Sequence, residues 1–259
     1  MKQIIAVINE KGGVAKTTTV ISLGGALVEV GHEVLVVDLD PQANLTLGLG
    51  VQPAKVRRSI VDVMLNSVTL LSVSRETNIP GLDLVPSNAE MVLAERFLSV
   101  RQDYEIILKN VLSQVKTYDF VILDCPPSLG VVAINAMSAA DLMIIPTQPE
   151  YFSIHSLRGV LATIRRVRSQ NNPALSYRIL ITMMDRRNKI HRTLNDQLRA
   201  TFAEGVYQTV IEVDTKLRES TVIGSPITQC YPSSRSALQY RALAQEIIQN
   251  VQEKDQQPA

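Results

Sequence analysis

The feature that most narrows the possible folds is the recurrence of short, almost wholly apolar runs separated by helix-length segments. QIIAVI at 3–8, EVLVVDLD at 33–40, GLDLVPS at 81–87, YDFVILDCPPS at 118–128, ADLMIIPT at 140–147, SYRILIT at 176–182 and VYQTVI at 206–211 each read as a buried strand. Runs without polar alternation suit a sheet covered on both faces. Apolar spacing predicts helices at 17–31, 89–97, 103–115, 130–139, 155–170, 191–203 and 234–251. Strand, loop, helix and strand in repetition predict an α/β fold: a mostly parallel, twisted sheet with helices on both faces. The segment 46–80 keeps no sustained period and reads as short helices or a loop. A chain of 259 residues fits one large domain, here 1–251, followed by a polar tail at 252–259 expected to fray.

Composition excludes several classes. The hydrophobic fraction is 46% and the charged fraction 20%, enough to build a core and too apolar for general disorder. A net charge of +1 means that any nucleic-acid surface must be a local concentration of basic residues. Cys125 and Cys230 have neither disulfide-framework nor zinc-ligand spacing, which suits a reducing cytoplasm. No signal-peptide pattern opens the chain, and no run is long and apolar enough to span a membrane.

Chemistry concentrates where the first strand meets the first helix, in NEKGGVAKTTTV from Asn9 to Val20. Backbone N–H groups of such a turn, with the helix N-terminus behind them, form a donor cradle for phosphate oxygens, to which Lys16 adds a point charge. Thr17 is placed to offer its hydroxyl to Mg²⁺ and Thr18 to an α-phosphate oxygen. The ordinary G-x-x-x-x-G-K-[ST] pattern is not met, because Glu10 and Ala15 stand at its two glycine positions. Tight packing around Gly12 and Gly13 is the bland alternative.

Two acidic strand ends accompany the loop. In Asp38-Leu39-Asp40, period-two alternation puts both aspartates on one side of an extended segment. One then holds a Mg²⁺-bound water while the other orients the attacking water. FVILD ends in Asp124, a carboxylate poised to bond Thr17 or a Mg²⁺-bound water. Cys125 reads as packing beneath the loop, and Pro126 and Pro127 as stiffeners of the chain after the carboxylate or, equally, as simple strand terminators.

Together these segments resemble the ParA/Soj and MinD family of deviant-Walker P-loop ATPases. The family loop K-G-G-x-x-K-[ST] reads KGGVAKT from Lys11 to Thr17; D-x-D-P-Q-x-N spans Asp38 to Asn44, D-C-P-P-S-L spans Asp124 to Leu129, and PTQPEYFSIHSL spans Pro146 to Leu157. The resemblance implies a P-loop NTPase that binds ATP and Mg²⁺, with Lys11, Lys16, Asp40 and Asp124 as catalytic residues. Nucleotide contacts fall to Lys11, Gly12, Gly13, Val14, Ala15, Lys16, Thr17, Thr18 and Asp185, and metal contacts to Thr17, Asp40 and Asp124. Lys11 is expected to reach the phosphates of a second subunit, so the ATP state is a homodimer, with Gly12 close to the partner. Two positions depart from the family: Glu212 follows Ile211 where a proline is usual near adenine, and Lys216-Leu217-Arg218-Glu219-Ser220 replaces R-L-x-E-A.

From 158 to 199 basic residues far outnumber Asp185 and Asp196. Such clustering suits sequence-independent contact with duplex phosphates. The resemblance points to Arg187, Lys189, Arg192, Lys216, Arg218 and Arg235 for this surface, and to a ParB-like or other cargo adaptor that stimulates hydrolysis, at a cytoplasmic, nucleoid-associated site. The final helix spaces Leu238, Leu243, Ile247 and Ile248 for docking on the core, so direct membrane binding is not expected. A MinD-like membrane regulator and a nucleotide-gated scaffold with little turnover are the rival readings.

Overall fold

A computed structural model describes residues 2–256. Along the chain run β1 (Gln3–Val7), α1 (Lys16–Glu29), β2 (Val34–Asp38), α2 (Asn44–Gly48), α3 (Ile60–Asn66), β3 (Arg75–Glu76), β4 (Leu82–Val85), α4 (Met91–Leu98), α5 (Ile107–Ser113) and β5 (Phe120–Asp124). There follow α6 (Val131–Ala139), β6 (Leu142–Thr147), α7 (Tyr151–Gln170), β7 (Ser176–Met184), α8 (Lys189–Phe202), β8 (Val206–Glu212), α9 (Thr215–Ile223), α10 (Ile227–Cys230) and α11 (Arg235–Gln256). The strands form one sheet in the order β3-β4-β2-β5-β1-β6-β7-β8. Every pairing is parallel except that of β3 with β4.

Strand pleating divides the apolar residues between two cores. Ile4, Ala6, Leu35, Val37, Val121 and Leu123 pack under the layer that holds α3 to α8, whereas Ile5, Val7, Val34, Val36, Phe120 and Ile122 pack under α1, α10 and α11. All five residues of β2 and of β5 are buried. This double coverage is why the strands lack polar alternation. At a fully buried position such as Leu35, truncation to alanine costs about 2–5 kcal/mol.

The expected strands and covering helices are present, with differences at particular elements. The segment 46–80 holds the rest of α2, then α3 and the antiparallel edge strand β3. Ser59 caps α3: its hydroxyl accepts from Val61 N at 3.2 Å, while Asp62 accepts from Ser59 N at 2.9 Å. The predicted 103–115 helix is a 3₁₀ turn at 104–106 followed by α5, and α7 begins at Tyr151 rather than 155. Neither α9 nor α10 was expected. The last helix runs on to Gln256, so the expected tail is helical over 252–256 and its remainder, 257–259, lies outside the described residues. Of the expected docking residues Leu243 and Ile247 are buried and Ile248 packs against them, whereas Leu238 is 57% exposed and Ala237, Tyr240 and Ala244 complete the docked face.

Candidate nucleotide-binding cleft

Parallel α/β sheets bind ligands beyond the carboxyl ends of their strands, where the strand order reverses. β1 is such a point, since the chain leaves it for β2 on one side and later reaches β6 on the other. A cleft of about 820 Å³ opens there, lined by the loop between β1 and α1, by Asp40 and Gln42 beyond β2, and by residues 211–214 with Leu217 and Arg218 at the far wall.

The loop is braced from below. Asn9, fully buried, donates from its side chain to Pro146 O at 2.8 Å and accepts from Lys11 N at 3.0 Å. The Thr182 hydroxyl donates to Val14 O at 3.1 Å. A Cβ built on Gly12 or Gly13 meets nothing within 4 Å, so tight internal packing is not what these glycines serve. Gly13 has φ +74°, a conformation that glycine adopts without cost. Ala15, at the place where glycine is usual, has φ 67°. For a residue with a Cβ this left-handed backbone costs about 1–2 kcal/mol.

The two loop lysines face different ways. Lys16, 8% exposed, donates to Lys11 O at 3.2 Å; burial lowers its pKa, while Asp124, Cys125 and Asp40 oppose that shift. Lys11 turns instead to the start of α7, donating to Glu150 at 2.8 Å, Ser153 at 2.8 Å and Gln148 at 3.2 Å. Gln148 also meets Met183, which lines the cleft with φ 53°.

Asp124 is almost fully buried, and its Oδ2 accepts the Thr17 hydroxyl at 2.7 Å. Its Oδ1 is buried without a hydrogen-bond partner. Burial, then the charge of Asp38 beside it, pushes its pKa well above the usual carboxylate range. Asp38 pairs in register with Asp124 across β2 and β5, and burial pushes its pKa up to about 6. An orphaned buried carboxylate oxygen beside a threonine hydroxyl fits Mg²⁺, which usually takes one or two carboxylates together with phosphate oxygens and water. Among the described residues no group of three or more His, Cys, Asp or Glu forms a ready cage. The residues that would hold Mg²⁺ are thus Thr17 and Asp124, with Asp40 alongside.

Asp38 and Asp40 do not divide the Mg²⁺-bound water and the attacking water between them as expected. The strand ends at Asp38, and the chain turns there, so alternation no longer applies. Asp38 accepts from Thr46 N at 2.8 Å, the Thr46 hydroxyl at 2.7 Å and Asp40 N at 3.1 Å, which consumes it in holding α2. Only Asp40 lines the cleft; one of its oxygens accepts Gln42 N at 2.8 Å. Cys125 is fully buried, and burial raises its thiol pKa, so it packs rather than reacts.

Asp185 does not line the cleft. Its carboxylate takes Arg187 in a two-pronged contact at 3.1 and 3.0 Å, which lowers its pKa to about 2. Arg187, Lys189, Arg192, Lys216, Arg218 and Arg235 are all exposed and come from the loop after β7, from α8, from α9 and from the start of α11. Arg187 is therefore engaged within the chain, and Lys216 lies 5.5 Å from the Tyr231 ring centroid. Sequence reading missed Asn9, Gln148 and Ser153 as braces of the loop and its lysine. PTQPEYFS carried two of them in a quoted motif, but nothing in it shows that Lys11 folds back onto it.

Fold and cleft define a P-loop ATPase architecture, which implies binding of ATP with Mg²⁺. A family model described as an AAA domain matches residues 2–177. The sporulation initiation inhibitor protein Soj of Bacillus subtilis is 38% identical over 252 residues, covering 96% of this chain and 100% of Soj. The chromosome partitioning protein ParA of Caulobacter vibrioides is 36% identical over 261 residues, covering 98% and 96%. Among solved structures, cobyrinic acid a,c-diamide synthase from Mycobacterium smegmatis, with bound ATP analogue and magnesium, superposes with a TM-score of 0.84 at 34% identity, covering 100% of this chain and 99% of the other. The chain belongs to the ParA/Soj/MinD family of deviant-Walker P-loop ATPases, in its partition-protein-like part. Among the described residues no helix is long and apolar enough to cross a membrane.

Proposed function

We propose that this chain is a partition or positioning ATPase that dimerises with ATP, binds duplex DNA without sequence preference in that state, and is reset by partner-stimulated hydrolysis. The observation that carries the reading is the division of labour between the loop lysines. Lys16 points into its own cleft, whereas Lys11 lies outside it on a half-exposed ion pair with Glu150. A second lysine on a phosphate loop that does not serve its own cleft is available to a second copy. Exposed ion pairs of this kind contribute about 0–1 kcal/mol, so contact with a triphosphate can displace Glu150.

In the assembled site Lys16 and the loop N–H groups hold the phosphates, and Thr17, fixed by Asp124, stays oriented toward them. Bound Mg²⁺ would neutralise charge building on the phosphate oxygens. Asp40 orients the attacking water, and Lys11 of each copy adds charge at the transferring phosphoryl group. A cargo-bound adaptor that speeds hydrolysis separates the copies and releases the DNA.

Light scattering and co-sedimentation with non-specific duplex, each run without nucleotide, with ADP and with ATP–Mg²⁺, test this. A dimer and salt-sensitive DNA binding are expected in ATP–Mg²⁺ alone. Equal DNA affinity in all three states overturns the switch. Lys11→Ala is expected to stay monomeric in ATP while its own-cleft nucleotide affinity changes by less than about threefold, because a screened contact outside the cleft is worth under about 1 kcal/mol.

A further inference from the structure

Glu212 stands where the family usually has proline, and it ties together two arginines from different elements. Its carboxylate accepts Arg186 Nε at 2.7 Å and Arg235 Nη1 at 3.0 Å, and Gln239 donates to it at 3.2 Å. The Glu212 side chain is 11% exposed, whereas Arg186 and Arg235 are 66% and 54% exposed. Arg235 also donates to Val213 O at 2.6 Å, and Arg192 donates to Arg186 O at 2.6 Å.

We propose that Arg186 and Arg235, yoked through Glu212, form a paired-guanidinium site for the phosphodiester backbone of duplex DNA at the rim of the nucleotide cleft. The site deepens the DNA-binding reading above and rests on it. Each guanidinium has more donors than its internal partners use: Arg186 gives Nε to Glu212 and keeps both Nη groups, and Arg235 keeps its Nε. Planar guanidinium forks recognise phosphate oxygens in pairs of hydrogen bonds. Held by one sunken carboxylate, the two forks are ordered before DNA arrives, so the entropy of fixing two long side chains is already spent in the free protein.

Glu212 therefore acts in two opposed ways, as a negative charge that repels phosphate and as the post that aims two cations. Repulsion from a charge already paired with two guanidiniums is weak at physiological salt, and the aiming effect wins. Glu212 is a positioning residue whose removal makes the surface more positive and yet weakens DNA binding.

The test is a DNA titration of the full chain in ATP–Mg²⁺ over a range of salt, for wild type, Arg186→Ala, Arg235→Ala and Glu212→Gln, with melting temperature confirming that each is folded. Each arginine variant is expected to lose about fivefold to tenfold in affinity and to lower the salt slope by about 1, the signature of one lost phosphate contact. Glu212→Gln is expected to bind about threefold more weakly. Tighter or unchanged binding by Glu212→Gln overturns the positioning role, and an unchanged slope in Arg186→Ala, a fully surface variant, overturns the site even if Glu212→Gln does not fold. Wild type that binds no DNA in any state sinks the DNA reading and this site together; wild-type binding with unaltered variants sinks this site alone.

Discussion

The floor of the cleft, at the ends of β2 and β5 and the start of α1, and its rim, beyond β7 and at the start of α11, are built on opposite principles. On the floor, Asp38, Asp124 and Lys16 are buried, and each is fixed by backbone or by a hydroxyl: Thr46, Thr17 and Lys11 O. Around the rim, Arg186, Arg187 and Arg235 are exposed, the first and last held by Glu212 at the end of β8 and Arg187 by Asp185 in its own loop. Charge on the floor is expensive to leave uncompensated, so it is few in number and demands a ligand. Charge on the rim is cheap, plentiful and tunable, which suits the proposed reversible grip on a polyanion.

Floor and rim differ most at Lys16. Lys16→Ala removes the one buried cation of the floor, and ATP affinity is expected to fall by about 100-fold in calorimetry, the scale of a lost charge-assisted contact. No single rim substitution should approach that.

The buried acids of the floor make its stability depend on pH. Asp38 and Asp124 both have raised pKa values in the folded chain, so between the unfolded value and the folded one the native state binds more protons than the unfolded state. Stability of the nucleotide-free protein must then fall as pH rises, from near 4 through about 6 for Asp38, and further for Asp124. Asp124→Asn should flatten this slope and raise the nucleotide-free melting temperature at pH 8, while abolishing the Mg²⁺ dependence of nucleotide binding. A melting temperature that falls with the variant at pH 8 would count against an uncompensated charge at this position.

Smallest is the loop backbone. Ala15→Gly relieves a left-handed alanine but adds chain entropy to the unfolded state, so a gain of about 1 kcal/mol or less is expected in chemical denaturation. A loss of stability would mean that the alanine methyl makes a contact worth more than its strain.

The same contrast governs what could be read from sequence. Buried strands write themselves as apolar runs, and strand-end acids beside a glycine loop are spaced by the fold itself, so the sheet, Lys16, Thr17 and Asp124 were legible. Asp38 misled because alternation was carried past the strand's last residue. Leu238 misled because small Ala237 and Ala244 with Tyr240 complete the docking face beside Leu243 and Ile247, and a leucine outweighs an alanine in any apolar count. α9 was unread since Ser220 is its one buried residue, leaving no periodic apolar face to see. Ion pairs such as Lys11 with Glu150 or Arg186 with Glu212 join residues far apart in sequence through long, flexible side chains, and no local pattern announces them.

One contact on the α1 side of the sheet bears on how the protein is made. The Thr19 hydroxyl meets that of Tyr240 at 3.3 Å, a partner 221 residues away, and α1 and α11 share one core layer. Synthesis delivers α1, the helix that follows the phosphate loop, long before α11, the helix that packs beside it. Until synthesis has passed Ile247, the side of α1 that meets α11 is uncovered, although Pro146 and Thr182 already brace the loop. The packing around α1 is completed only when α11 docks, so a nascent fragment that stops short of α11 leaves open one flank of the helix that carries Lys16 and Thr17.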